Sequence, residues 1–118
     1  MNTSDSIKAF SQSEKLKAGL IWASQIAEAC AALAESDKAG AEKILKILVG
    51  MIASEIHVAQ KAAPNDMWSE AEKDVHTAQV MLNSGAGHDV AYHLTQALSK
   101  ITTVGQQSMS RLVEEKLL

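Results

Sequence analysis

The spacing of apolar residues predicts helices along most of the chain. In the C-terminal part, for example, Val90, Leu94, Ile101 and Val104 follow one another at helical intervals. Such intervals place apolar side chains on one face of a helix, where they pack against a core. One proline and six glycines leave little of the turn chemistry that an all-β fold needs. The pattern therefore predicts an all-α protein.

Three short polar stretches interrupt this pattern and mark turns between helices. They are "ESDKAG" at residues 35–40, "APND" at 63–66 and "SGAGH" at 84–88. Pro64 stops a helix because it has no amide hydrogen, and Gly85 suits the left-handed conformation in which many helices end. The sequence therefore predicts four helices, at residues 12–35, 38–62, 66–84 and 88–116.

The first helix is predicted to begin near residue 11. Ser11 and Glu14 have the spacing of a capping box, in which two side chains bond to free backbone amides of the first turn. The preceding residues are rich in Ser and Asn, so we expect a flexible N-terminal segment at residues 1–11. Short turns between long helices make successive helices antiparallel. Residues 12–118 are therefore predicted to form a single domain, an up-down-up-down antiparallel four-helix bundle.

Composition limits the classes of partner. The net charge is −3 and the 11 Lys and Arg residues are dispersed, so we expect no binding to nucleic acid. No apolar run is long enough to span a membrane, and the N-terminus does not resemble a secretory signal. The single cysteine, Cys30, lies among alanines and is predicted to be a buried, free thiol in a reducing compartment. These features predict a cytoplasmic protein that does not bind membranes.

Two helices carry more uncharged surface than a monomeric bundle needs. The apolar arc of the second helix, over residues 44–59, extends around more than half of its circumference. In the fourth helix, Lys100 is the only fixed charge between Asp89 and Arg111. Surfaces of this kind usually mark contacts with other proteins. We therefore predict a homodimer formed through helices 2 and 4, with an interface that includes Trp22, Thr95, Ser99, Thr102, Gln106 and Met109.

Glu55 is the first candidate for chemistry, because its position falls within the apolar arc of the second helix. A buried carboxylate needs a partner or a raised pKa. Counting outward from Pro64 places Glu72 at a similar height on the next helix. Two facing carboxylates would share a proton, bind a cation or take a basic ligand, whereas Lys100 would form a structural ion pair with Glu55. The candidate ligand-binding residues are therefore Glu55, Glu72 and Lys100.

Two histidines suggest a metal site. Glu72 and His76 are four residues apart, as are Asp89 and His93, and this spacing places each pair on one side of a helix. Counting from the turn at Gly85 puts the two histidines at about the same height. However, the chain contains no Glu-x-x-His, His-x-x-x-His or His-Glu-x-x-His motif, which favours surface histidines over ligands. His76 and His93 are the candidate metal ligands.

The sequence favours a non-catalytic role. It contains no Gly-x-Ser-x-Gly elbow and no phosphate-binding glycine loop. We therefore predict a helical protein–protein interaction module without a cofactor, which self-associates through helices 2 and 4. One alternative is a bundle that binds a metal or a small ligand through its carboxylates and histidines. Another is a helical chaperone or secretion partner that holds a helix of a different protein.

Overall fold

Four α-helices joined by short turns make up the structure, a computed structural model that describes residues 2–118. A single turn of 3-10 helix, Gly87–Asp89, precedes the last helix. The boundaries of the second, third and fourth helices lie within three residues of the predicted ones, but the first turn lies at residues 32–34, so its predicted place at residues 35–40 was wrong. The helices are α1 (Thr3–Ala31), α2 (Glu35–Ala62), α3 (Asp66–Asn83) and α4 (Val90–Glu114).

Each helix packs against two neighbours. α1 lies against α2 and α4, and α3 also lies against α2 and α4, so α2 and α4 occupy opposite corners of the bundle. The short turns reverse the chain direction at each step, which makes successive helices antiparallel. The predicted up-down-up-down four-helix bundle is confirmed.

Asparagine side chains close the N-terminal ends of two helices. The side-chain oxygen of Asn2 accepts a 2.8 Å hydrogen bond from the amide of Asp5, and that of Asn65 accepts one of 2.9 Å from Met67. These bonds satisfy amides that have no partner inside the helix. At the end of α3, Gly85 has a φ of +82°, the left-handed conformation that the sequence predicted there.

The N-terminus differs from the prediction. α1 begins at Thr3, so the flexible segment predicted at residues 1–11 was wrong from that residue onward. Residue 1 lies outside the described part of the chain. The capping box predicted from Ser11 and Glu14 was also wrong, since both residues lie inside α1.

Small buried residues explain why the sequence pattern underestimated the length of α1. Ser6, Ala9 and Ser13 are buried, although two of them are polar. The Ser13 hydroxyl donates a 2.8 Å hydrogen bond to the carbonyl of Phe10, so the buried hydroxyl still has a hydrogen-bond partner. Short side chains also let α1 approach α4 closely, since a Cβ added at Gly105 would lie 3.0 Å from the Ser13 oxygen. A buried face of Ser and Ala has little apolar periodicity for a sequence pattern to detect.

The core consists mainly of aliphatic side chains from all four helices. Trp68 is the exception, with a fully buried ring whose indole N–H donates a 2.9 Å hydrogen bond to the carbonyl of Ala63. Within residues 2–118, no helix combines the length and the apolar character needed to cross a bilayer. The residues that defined the helical pattern of α4 in the sequence are all fully buried, namely Val90, Leu94, Ile101 and Val104.

Candidate interaction surface

α2 carries two apolar stripes, one facing the core and one facing outward. The outer stripe is exposed, with Ile44 66% accessible and Met51 61% accessible. Ile47 and Val58 continue this stripe at helical spacing and are exposed as well. A bundle helix normally buries a single stripe, so the excess apolar surface predicted on this helix is confirmed. The core stripe consists of Leu45, Val49, Ile52, Ile56 and Ala59.

The neighbouring side of α1 extends this surface. Nζ of Lys15 lies 3.1 Å from Oε1 of Glu55, so the side of α1 that carries Lys15 borders α2. Trp22 and Ile26 follow Lys15 on the same side at helical intervals. Trp22 is 66% exposed, and Ile26 is exposed too. We define the α1–α2 face as the six exposed residues Trp22, Ile26, Ile44, Ile47, Met51 and Val58.

Glu55 lies between α1 and α2 at the α1–α2 face rather than in the core. Its side chain is 35% exposed, and Oε1 forms the ion pair with Lys15. The other carboxylate oxygen, Oε2, is buried and has no hydrogen-bond partner among residues 2–118. The prediction of a carboxylate within one buried apolar arc was wrong, because the arc is really two stripes with Glu55 between them on the α1 side.

The three candidate ligand-binding residues do not form one site. Lys100 pairs with Asp74 of α3, with 2.5 Å between Nζ and Oδ2. Glu72 is exposed on α3, whereas Glu55 points toward α1. The predicted pairing of Glu55 with Glu72 or with Lys100 was therefore wrong. Counting residues from Pro64 predicts height along the bundle, but it does not predict how each helix is rotated about its axis.

The candidate metal ligands are also apart. His76 shares one shallow depression with Glu72 and another with Lys46 of α2, so it lies on the side of α3 away from α4. His93 is half-buried on α4, where its ring meets that of Tyr92 edge-on with centroids 5.3 Å apart. In the described part of the chain, no three His, Cys, Asp or Glu side chains are grouped so that they could hold a metal ion. The predicted site at His76 and His93 is therefore not assembled.

The uncharged flank of α4 points outward. The hydroxyl of Thr95 donates a 2.9 Å hydrogen bond to the carbonyl of Ala91, and that of Thr102 donates one of 2.9 Å to Ser99. These hydroxyls are thus satisfied within their own helix and need no neighbouring molecule. Part of the flank lines a groove of about 440 Å³ between α1 and α4. The five predicted interface residues of this flank are Thr95, Ser99, Thr102, Gln106 and Met109, all exposed or half-buried.

The predicted contact through helices 2 and 4 divides into two separate surfaces. Because α2 and α4 occupy opposite corners of the bundle, their outer sides face in opposite directions. Trp22 belongs to the α1–α2 face, and the other predicted interface residues belong to the α4 flank. The α1–α2 face is the more apolar surface, since Met109 is the only large apolar residue among the five on α4.

Cys30 lines a cavity of about 340 Å³ at the end of the bundle where α1 and α3 end and α2 begins. Burial raises the pKa of the Cys30 thiol above its ordinary value, and the negative charge of Glu42 raises it further. The thiolate is the reactive form of cysteine, so this environment opposes nucleophilic chemistry. The prediction of a buried, free cysteine is confirmed.

Comparisons of the chain with protein-family models, with curated proteins and with solved structures find no match. The candidate ligand and metal residues are dispersed, whereas the α1–α2 face gathers six large apolar side chains in one place.

Proposed function

We propose that this protein is a non-catalytic helical interaction module that self-associates through its α1–α2 face. The observation that carries the proposal is the exposure of six large apolar side chains on one side of two adjacent helices. Burial of apolar surface is favourable by about 25 cal/mol per Å². In the single chain this apolar surface is exposed to water, so a molecule that covers it is stabilised by the hydrophobic effect.

The size of the face suits a protein contact. Monomeric proteins rarely expose contiguous apolar patches larger than a few hundred Å². The six side chains present an exposed area on the order of several hundred Å². A standard interface buries about 800 Å² on each partner. The face thus supplies the apolar centre of such an interface, and the polar residues around it supply the rim.

A second copy of the chain is the partner that we propose. Most soluble oligomers are symmetric homo-oligomers, in which the same patch lies on both sides of the contact. The charges beside the face permit this self-contact, because Lys15 and Glu55 neutralise each other. We also propose that the protein acts in the cytoplasm, since its single cysteine is free and reducing compartments keep thiols in that form.

Two valines provide a matched test. Val58 lies on the α1–α2 face and Val80 lies on α3, and both side chains are 47% exposed. Val58→Lys places a charge in the proposed contact, whereas Val80→Lys places the same charge outside it. Ile47→Lys provides a second and more central disruption. The mass of each variant is measured by size-exclusion chromatography with light scattering at high micromolar concentration.

The proposal predicts a dimer for the original protein and for Val80→Lys. It predicts monomers for Ile47→Lys, and for Val58→Lys a shift toward monomer. Circular dichroism must show the same helix content for all four proteins, so that a change in mass reports on association and not on unfolding. A monomeric original protein, or equal behaviour of the two valine variants, contradicts the proposal.

A further inference from the structure

The outer stripe of α2 has the spacing of a coiled-coil seam. Ile44, Ile47 and Met51 are separated by three and then four residues, and Val58 follows one heptad after Met51. This alternation of three and four places apolar residues on the line along which two helices pack with a small crossing angle, about 20°. Ser54 occupies the one polar position in the seam. The surface therefore fits a partner helix that lies along α2.

α1 presents a second seam beside the first. Trp22, Ile26 and Ala29 are separated by four and three residues, and all three are exposed. Because α1 and α2 are adjacent and antiparallel, the two seams run side by side in opposite directions. Two antiparallel helices cover both seams, and the α1–α2 hairpin of a second copy supplies such a pair.

The Lys15–Glu55 ion pair fixes the relative heights of the two seams. Counting in opposite directions from this pair places Trp22 level with Leu48 and Ile26 level with Ile44. A contact between Gly19 and Ile52 supports the same alignment, since a Cβ at Gly19 would lie 3.9 Å from Cγ1 of Ile52. Trp22 and Ile26 of α1 therefore each have an apolar residue of α2 at the same height.

Two symmetric arrangements bring such a face against itself. In one, the two-fold axis runs parallel to the helices, so α1 of each copy packs against α2 of the other and heights are preserved. In the other, the axis is perpendicular to the helices, so α1 packs on α1 and α2 packs on α2. The second copy is then inverted, and the top of one face meets the bottom of the other. Both arrangements produce antiparallel helix contacts.

Charge distinguishes the two arrangements. With the parallel axis, Lys15 of one copy lies at the height of Glu55 of the second copy, so opposite charges meet. A perpendicular axis at the height of Met51, near the middle of the α2 seam, reverses the face, and the charged pair then lies opposite the apolar residues Trp22 and Ile47. Covering a charge with apolar groups costs free energy that an opposite charge would offset.

We infer that two copies associate about an axis parallel to the helices, with α1 of each chain packed against α2 of the other in an intermolecular four-helix layer. This inference rests on the proposed self-association through the α1–α2 face and adds its geometry. Ile26 of one copy then lies against Ile44 of the other. Trp22 lies between Ile47 and Met51 of the second copy, and Lys15 and Glu55 form alternating ion pairs across the axis.

Disulfide cross-linking between single-cysteine chains tests this geometry. Cys30→Ala removes the native thiol, and Ile26→Cys and Ile44→Cys are then introduced into separate chains that carry tags of different mass. The two proteins are mixed, allowed to exchange and oxidised. A third protein with Met51→Cys in the same background is oxidised alone, because Met51 lies near the middle of the α2 seam.

The parallel axis predicts a mixed disulfide dimer that contains one Ile26→Cys chain and one Ile44→Cys chain and disappears on reduction. It predicts little product from the Met51→Cys protein alone, because the two copies of that residue face α1 and not each other. The perpendicular axis predicts the reverse, since Met51 would then meet its own copy. A disulfide requires Cα atoms within about 7 Å, so each product reports a close contact.

Sedimentation of the same unoxidised samples tests self-association separately from the inferred geometry of the dimer. If the proteins are dimers but only Met51→Cys cross-links, the inferred geometry is overturned and self-association stands. If the proteins sediment as monomers and neither reaction gives product, self-association itself is contradicted. Lys15→Glu and Glu55→Lys provide a second readout, since a mixture of the two variants should form more dimer than either variant alone.

Discussion

The indole N–H of Trp68 donates a 2.9 Å hydrogen bond to the carbonyl oxygen of Ala63, across the turn that joins α2 to α3. The ring is fully buried, and the carbonyl lies one residue before Pro64. The bond therefore links the last part of α2 to the first turn of α3 and supplies the polar partner that a buried indole needs.

We predict that Trp68→Phe lowers the free energy of unfolding by about 1–3 kcal/mol, the usual cost of leaving a buried polar group without its partner. The measurement is urea denaturation followed by circular dichroism at a protein concentration low enough to favour monomer. Trp22→Phe is the matched control, because Trp22 is exposed and makes no such bond. If the two variants lost equal amounts of unfolding free energy, the hydrogen bond and the buried ring would not be what stabilises this turn.

We predict that alanine substitutions at Gly40 and Gly105 have different effects on stability. Glycine inside a helix usually costs about 1 kcal/mol relative to alanine, and a Cβ at Gly40 meets no atom within 4 Å. Gly40→Ala is therefore expected to stabilise the fold. At Gly105 the added carbon would lie 3.0 Å from the Ser13 oxygen, so Gly105→Ala is expected to be less stable than Gly40→Ala.

The double variant Ser13→Ala with Gly105→Ala identifies the cause. Removal of the hydroxyl leaves Cβ of Ser13 as the nearest atom, at 3.5 Å, which is an ordinary contact. The double variant should therefore recover stability relative to Gly105→Ala, as measured by thermal denaturation. A double variant that is less stable than both single variants would contradict close packing of α1 and α4 as the explanation.

Cys30 is expected to react slowly at neutral pH. Burial and the negative charge of Glu42 both raise its pKa, so at any pH below that value the thiolate fraction is smaller than for a free cysteine. The rate of alkylation by iodoacetamide should be low at pH 7 and should rise continuously with pH. Glu42→Gln removes one of the two causes and should increase the rate at a given pH, whereas an unchanged or slower rate would contradict the contribution of that charge.

Trp22 provides an optical test of the α1–α2 face. Trp22 is exposed and Trp68 is fully buried, so only the emission of Trp22 should respond to association. We predict that the tryptophan emission shifts to shorter wavelength as protein concentration rises. Ile47→Lys should abolish the shift, and Val80→Lys should retain it. A spectrum that does not change with concentration while the mass does change would place the contact elsewhere on the molecule.

Much of the fold could be predicted from the sequence, because long side chains at regular spacing mark a buried face. Val90, Leu94, Ile101 and Val104 are buried as their spacing predicts. The first nine residues of α1 were missed for the opposite reason, since Ser6 and Ala9 are buried through their small size. Such a contact depends on how closely α1 and α4 approach each other, which residue type alone does not reveal.

The candidate site was predicted only in part. The width of the apolar arc on α2 correctly indicated exposed hydrophobic surface. The pattern did not show that the arc contains two stripes, although the spacing of Ile44, Ile47 and Met51 carries that signal. Glu55 was misplaced for the same reason. Whether a residue faces α1 or the core depends on the rotation of α2 in the bundle, and the packing of all four helices sets that rotation.

Sedimentation equilibrium of the unmodified protein from low to high micromolar concentration tests the central claim most directly. Self-association through the α1–α2 face predicts that the average mass rises from about one to about two chains across this range, and that Met51→Lys remains a monomer throughout. A single chain at every concentration would contradict the account, and so would a dimer that Met51→Lys leaves intact.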